Sequence, residues 1–194
     1  MSISALPEVV RFSDCAEEPW ANGGGSTRVI AVGPADSMVG GFDWRLSVAS
    51  VTSSAFSQFP GVDRVIVLAE GPTMTLVIDG EEFELDSFRP RQFAGESVVA
   101  CETSTLSFDF NVMTRRQVCR AEVSIRVGSG HIGAPHDGLT FIVVLAGCAT
   151  VRSADGGTVR LSRFDSVRLS SASELSVGAK GRVALVRIRY THHP

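Results

Sequence analysis

Two-residue alternation of apolar and polar side chains, in short runs cut by turn residues, restricts this chain more than any other feature. β-Branched and alternating stretches occupy 27–32, 42–51, 62–68, 73–78, 97–101, 106–112, 139–145, 158–161, 166–169 and 182–188. Such runs predict strands, because successive side chains on a strand point to opposite faces. Gly33-Pro34, Pro60-Gly61, Gly71-Pro72, Asp79-Gly80 and Asp155-Gly156 separate them, and these dipeptides favour turns. No stretch carries a sustained helical period. The expected fold class is all-β, a sandwich or barrel with little helix.

A weak internal repeat sharpens that expectation. VIVLAEGPTMTLVIDGEEFELDSFRP, from Val65, lies over FIVVLAGCATVRSADGGTVRLSRFDS, from Phe141. Each copy reads apolar strand, Leu-Ala, glycine turn, second strand, Asp-Gly, third strand, then a phenylalanine (Phe88, Phe164). This series writes one half of a jelly roll, so the chain reads as a duplicated jelly roll, or bicupin. The halves are drawn at 1–116 and 117–194 and expected to pack as one compact unit. A length of 194 residues suits that size.

Charge and composition exclude several function classes. Lys+Arg is 18 against Asp+Glu 21, a net charge of -3, which argues against nucleic acid as a partner. No apolar run reaches the roughly 18–20 residues of a membrane helix, and residues 1–17 contain no secretory stretch. No membrane partner and a cytoplasmic location are expected. Lys180 is the only lysine; arginine forks suit carboxylates, though a G+C-rich genome gives the same bias. Cys15, Cys101, Cys119 and Cys148 are scattered, which reads as reduced, structural thiols. Metal-dependent cupins use a His-x-His pair, a nearby Glu and a later His. Here the histidines are His131, His136, His192 and His193, so the first half cannot supply such a set, and neither metal nor cofactor is expected. His131 and His136 with Asp137 form either a surface loop or a His–carboxylate pair.

Four segments in the first 116 residues carry the functional signal. PWANGGGSTR joins Trp20, Asn22, Gly23, Gly24 and Arg28; its glycines either bring backbone N–H groups to a ligand or make a flexible entry loop. In FDWRLSVA, Phe42, Trp44, Leu46 and Val48 share one face, which is core. Asp43, Arg45, Ser47 and Ala49 share the other, facing either solvent or a polar lumen. FSQFPGVDR leads from Phe59 to Asp63 and Arg64 at a strand mouth, where those two either serve a site or pair structurally. In FDFNVMTRR, Asp109, Asn111 and Met113 share a face that Arg115 continues if the strand persists, whereas Arg116 has the opposite parity.

Together PWANGGGSTRVIA, FDWRLSVASV, FSQFPGVDRVIVLAEG and FDFNVMTRR resemble the HutD/Ves family, in family order and spacing across the N-terminal two thirds. This chain departs from the family pattern at Ala21, where a basic residue is common, and at Val29, where an acidic one is usual. The resemblance implies a metal-free bicupin associated with bacterial histidine utilisation. It implies a moderator of that operon rather than a pathway enzyme, sensing a small anionic intermediate such as N-formylglutamate or urocanate.

The expected site is therefore a lumen in the first half holding a small carboxylate. Arg45 and Arg64 would supply forks, with Arg115 a weaker candidate. Asn22 and Asn111 would orient amide or formyl groups. The backbone of Gly23 and Gly24 would close the mouth, and Trp20 and Phe59 would exclude water. Two other classes compete: a metal-free isomerase or lyase, and a protein-interaction module using a sheet edge. A lumen Asp with a raised pKa favours catalysis, whereas a lumen of arginines and amides without one favours binding. Fold analogy alone implies a homodimer.

Overall fold

Alternation is realised almost throughout. A computed structural model describes residues 8–34, 41–133, 138–154 and 156–191, and among them a 3-10 turn at Phe12–Asp14 is the one helical element. The strands are β1 (Glu8–Val10), β2 (Glu17–Pro19), β3 (Gly25–Gly33), β4 (Trp44–Val51), β5 (Ser54–Ala55), β6 (Val62–Glu70), β7 (Met74–Ile78), β8 (Glu81–Leu85), β9 (Arg91–Ala94) and β10 (Val99–Glu102). They continue as β11 (Ser107–Arg115), β12 (Cys119–Arg126), β13 (Gly130–Ile132), β14 (Leu139–Ala146), β15 (Ala149–Ser153), β16 (Thr158–Leu161), β17 (Ser166–Leu169), β18 (Ser173–Val177) and β19 (Arg182–Tyr190). No helix among the described residues is long and apolar enough to cross a membrane.

Two compact units divide the chain. The first comprises Cys15–Ala121 with Thr191; the second comprises Glu122–Tyr190 together with residues 8–14. The first unit holds a six-stranded sheet, β2-β3-β4-β11-β6-β9, and a four-stranded one, β5-β10-β7-β8. The other two sheets run β1-β17-β14-β19-β12 and β13-β18-β15-β16. Setting β4–β11 against β12–β19 in order turns β4-β11-β6-β9 into β12-β19-β14-β17, and β5-β10-β7-β8 into β13-β18-β15-β16. The internal repeat is thus an eight-strand module used twice.

The turn after the third repeated strand makes the same point residue by residue. Phe88 and Phe164 both adopt positive φ, 61° and 65°, a region that bulky residues rarely enter. Each donates its backbone N–H to the first strand of its own copy: Phe88 to the Leu68 carbonyl and Phe164 to the Val144 carbonyl.

Each module buries apolar side chains from both of its sheets. Ile66, Leu68, Leu76, Leu85 and Cys101 meet in the first unit. Ile142, Val144, Leu161, Val183 and Leu185 meet in the second. On β4 and β11 the other face is buried too: Leu46, Val48, Phe110 and Val112 are all covered. On the inward face of these strands stand Arg45, Ser47, Asp109 and Asn111.

Candidate functional site

Strand register brings the polar residues of β4, β6 and β11 into rows. Met113 on β11 lies opposite Arg45 on β4 and opposite Arg64 on β6, and Arg64 in turn faces Phe93 on β9. One row deeper Asn111 lies between Ser47 and Ile66; the next places Asp109 between Ala49 and Leu68. Apolar packing therefore fills the deep end, while Ser47 and Ala49 are too small to fill the space above it. What remains is a cavity of about 340 Å³ whose walls include Arg45, Arg64, Asp109, Asn111, Trp20 and Phe59, within the usual range of small-molecule sites.

The two arginines are held by aromatic rings rather than by acids. The Arg45 guanidinium carbon lies 5.0 Å from the Phe42 centroid and 5.4 Å from that of Phe59. Arg64 lies 5.2 Å from Phe56, 5.9 Å from Phe59 and 5.0 Å from Phe93. Phe59 thus touches both cations, and such contacts strengthen when water is excluded. Arg45 Nη2 donates to Met113 Sδ at 3.2 Å, and Arg64 Nη2 donates to Asn111 Oδ1 at 3.0 Å. Both Nε groups are buried without a hydrogen-bond partner. Burial pushes the pKa of Arg45 down against the opposing charge of Glu18. It brings Arg64, 6% exposed, down to about 10; Asp109 resists the shift and Arg45 adds to it. Both remain cationic at neutral pH, and both have unspent N–H capacity.

Asp109 balances them in part. Its side chain exposes 0% of its surface; Oδ1 accepts from Asn111 Nδ2, and Oδ2 has no partner. Burial raises its pKa to about 7, opposed by Arg64 and by the Asn111 hydrogen bond. The Asn111 amide is therefore committed on both sides, oxygen to Arg64 and nitrogen to Asp109. It relays between charges instead of presenting a free amide.

The loop from Trp20 to Gly24 is a hairpin joining β2 and β3, which pair from Glu17↔Arg28 to Pro19↔Ser26. Trp20 Nε1 donates to Thr27 Oγ1 at 2.7 Å, and its ring meets Phe56 edge-on at 5.9 Å, giving the cavity an apolar wall. Asn22 lines the cavity, but Nδ2 donates to Ser54 Oγ and the Ala55 carbonyl while Oδ1 accepts from Gly24 N–H. Its amide ties the hairpin to β5. Gly23 and Gly24 do not line the cavity. Gly23 supplies a positive φ of 72°, and at Gly24 a Cβ would overlap the Ser54 side chain. Glycine at 23 thus serves the turn, and glycine at 24 the close approach to β5.

Other candidates are placed elsewhere. Arg115 ends β11, where its N–H donates to the Asp43 carbonyl, and lies outside the cavity walls. Arg28 pairs with Glu17 at 2.9 Å. Asp63 pairs with Arg116, not with Arg64, at 2.7 Å, and Arg116 also holds Glu96 at 2.9 Å; this rim network leaves Arg64 for the interior. His131 on β13 pairs with Glu174 on β18, both side chains exposed, while His136, Asp137, His192 and His193 lie outside the described residues. Ser47, Glu18 and Met113 also line the cavity; the parity of Ser47 and Met113 with Arg45 and Asn111 was the available signal.

Among the described residues, the second unit places apolar side chains where the first has Asn111 and Asp109. Register places Leu185 opposite Ile142 and Val183 opposite Val144, where the first unit has Asn111 and Asp109 opposite Ile66 and Leu68. Both replacements sit in a packed apolar core.

Comparison with known proteins agrees with this architecture. The family model described as HutD matches residues 12–186. An uncharacterized 21.2 kDa protein in the hutC 3' region of Pseudomonas putida is 30% identical over 187 residues, covering 93% of this chain and 96% of the relative. Protein Ves of Cronobacter sakazakii is 36% identical over 141 residues, 69% of this chain and 76% of Ves. The structure of HutD from Pseudomonas fluorescens SBW25 superposes with a TM-score of 0.83 at 27% identity, covering 96% of this chain and all of that one. A cupin 2 conserved barrel domain protein from Leptotrichia buccalis, at a TM-score of 0.58, 9% identity and coverage of 98% and 100%, shares the fold alone. Sequence match, chain-long relatives and superposition together show that this chain belongs to the HutD family, which is associated with histidine utilisation.

Proposed function

We propose that this protein binds a small carboxylate in the first-unit cavity, between Arg45 and Arg64, and acts as a ligand-sensing regulator in histidine utilisation. The observation that carries this reading is the pair of buried guanidiniums, each packed on phenylalanine rings and each with an unpartnered Nε. Unspent charged donors in a low-dielectric cavity favour an anion. Charge-assisted hydrogen bonds contribute roughly 1.5–3 kcal/mol each, and two such anchors suit micromolar affinity once binding costs are met. N-formylglutamate and urocanate are the candidate ligands, given the family association. Calorimetry with both acids on wild type and Arg45→Ala tests the site. Heat from at least one acid, weakened roughly tenfold or more in the variant, is expected; silence from both, or an unchanged constant, counts against it.

One observation favours a second reading, acid–base catalysis: Asp109 has its pKa raised to about 7, as a general base would need. Against it, Asp109 exposes no surface, and its Oδ1 is occupied by Asn111. A base must reach the proton it removes, so binding is preferred. Proton-exchange NMR distinguishes the two: solvent deuterium entering either acid in the presence of wild type, and not of Asp109→Asn, would establish catalysis.

A further inference from the structure

Asp109 is a buried acid that the binding reading leaves without a task. It sits at the closed end of a chain that runs from Arg64 through the Asn111 amide to its own Oδ1, and Oδ2 has no partner at all. A buried ionised carboxylate with an empty oxygen is costly; the Arg64 charge and the Asn111 hydrogen bond offset it in part. That same cation would be engaged by an anion entering the cavity.

We infer that Asp109 couples anion capture to proton uptake: a carboxylate bound by Arg45 and Arg64 withdraws the support that keeps Asp109 ionised, and Asp109 takes a proton as the ligand binds. With Asp109 ionised the interior set of Arg45, Arg64 and Asp109 carries one net positive charge; with Asp109 neutral it carries two. The anion therefore prefers the protonated form. By linkage the protonated form prefers the anion equally, so capture strengthens as pH falls through neutrality. This rests on the binding reading and adds its regulation.

The groups around Asp109 leave it as the titrating partner. From β6 comes Arg64, and Arg45 on β4 acts on Arg64 in turn. From β10 comes the Cys101 thiol, which burial and the negative charges nearby push up to about 11, so it stays neutral. Asn111 on β11 does not ionise. Glu18 on β2 faces Arg45 at the cavity wall and is exposed.

The test is calorimetry of urocanate and N-formylglutamate at pH 6, 7 and 8, in non-anionic buffers of different ionisation heat, on wild type and Asp109→Asn. The expected wild-type result is uptake of up to one proton per ligand, with affinity falling by up to tenfold per pH unit. Asp109→Asn should bind without that proton and with a flatter profile. Ligand binding with no proton uptake, and a pH profile shared by both proteins, overturns the inference while leaving the binding site standing. No heat from either acid at any pH overturns the binding reading, and this inference with it. Should Asp109→Asn not fold, the 13C carboxyl shift of Asp109 in wild type decides: its midpoint must rise with ligand, and an unmoved midpoint overturns the coupling.

Discussion

Phe59 links the two cationic side chains of the cavity, because its ring contacts both guanidiniums. Phe59→Ala should weaken carboxylate binding about as much as loss of one arginine contact, roughly tenfold, while leaving most of the fold's stability intact. A binding titration beside a denaturant melt checks both. Asp109 makes a prediction of opposite kind. Its folded pKa lies above the ordinary value of about 4, so between about 4 and 7 the folded chain holds a proton that the unfolded chain has released. Stability from this group is present at low pH and lost as pH rises through about 7. Urea melts from pH 4.5 to 8 should show that slope in wild type and a shallower one in Asp109→Asn. Alternation placed Arg45 with Ser47 on one face of β4, and Asp109 with Asn111 on one face of β11, since period two needs only parity. It could not tell that the Asn22 and Asn111 amides are consumed inside the protein. Nor could it tell that Gly24 is glycine because of Ser54. Those facts depend on partners 32 and 47 residues away for Asn22 and Asn111.

At the scale of elements, the repeat was legible because both copies retain turn residues at matching offsets. β8 was legible only through the repeat, because Glu81, Glu82 and Glu84 hide the alternation of an edge strand with an exposed face, and β18 was not read as a strand. In β18 the inward positions begin with a serine, Ser173, before Leu175 and Val177. The repeat also shows what stands in the second module where the first carries its polar row. Where the first unit has Asn111, the second has Leu185, wholly enclosed by its core. Leu185→Asn should cost about 2–5 kcal/mol, since it removes apolar contact and buries an amide with no partner. The measurement is the urea midpoint, which should fall with little change in slope.

Across the whole molecule, the least legible feature is the placement of β1. β1 precedes every segment of the first unit yet pairs with β17, with Val9 opposite Val167. Three residues are too few for a periodic signal, so sequence reading assigned them to the half they precede. Asp165 secures this return: Oδ2 accepts from Arg11 at 2.7 Å and Oδ1 from Phe12 N–H at 3.1 Å. Burial pushes this carboxyl upward, but Ser162 N–H, Arg11 and Phe12 N–H together hold it below the usual carboxylate range. Its contribution is therefore present above pH of about 4 and lost as acid protonates it. Hydrogen exchange should show residues 8–10 losing protection roughly tenfold or more in Asp165→Asn at neutral pH, with wild type following below pH 4.

The proposed function requires a carboxylate seated between two guanidiniums in one cavity of the first unit. A crystal structure of the protein saturated with N-formylglutamate or urocanate measures that directly. The predicted result is ligand density with carboxylate oxygens within hydrogen-bond distance of Arg45 and Arg64 and the apolar part against Phe59. Ligand seated elsewhere, or a cavity holding only water at saturating concentrations of both acids, would contradict it.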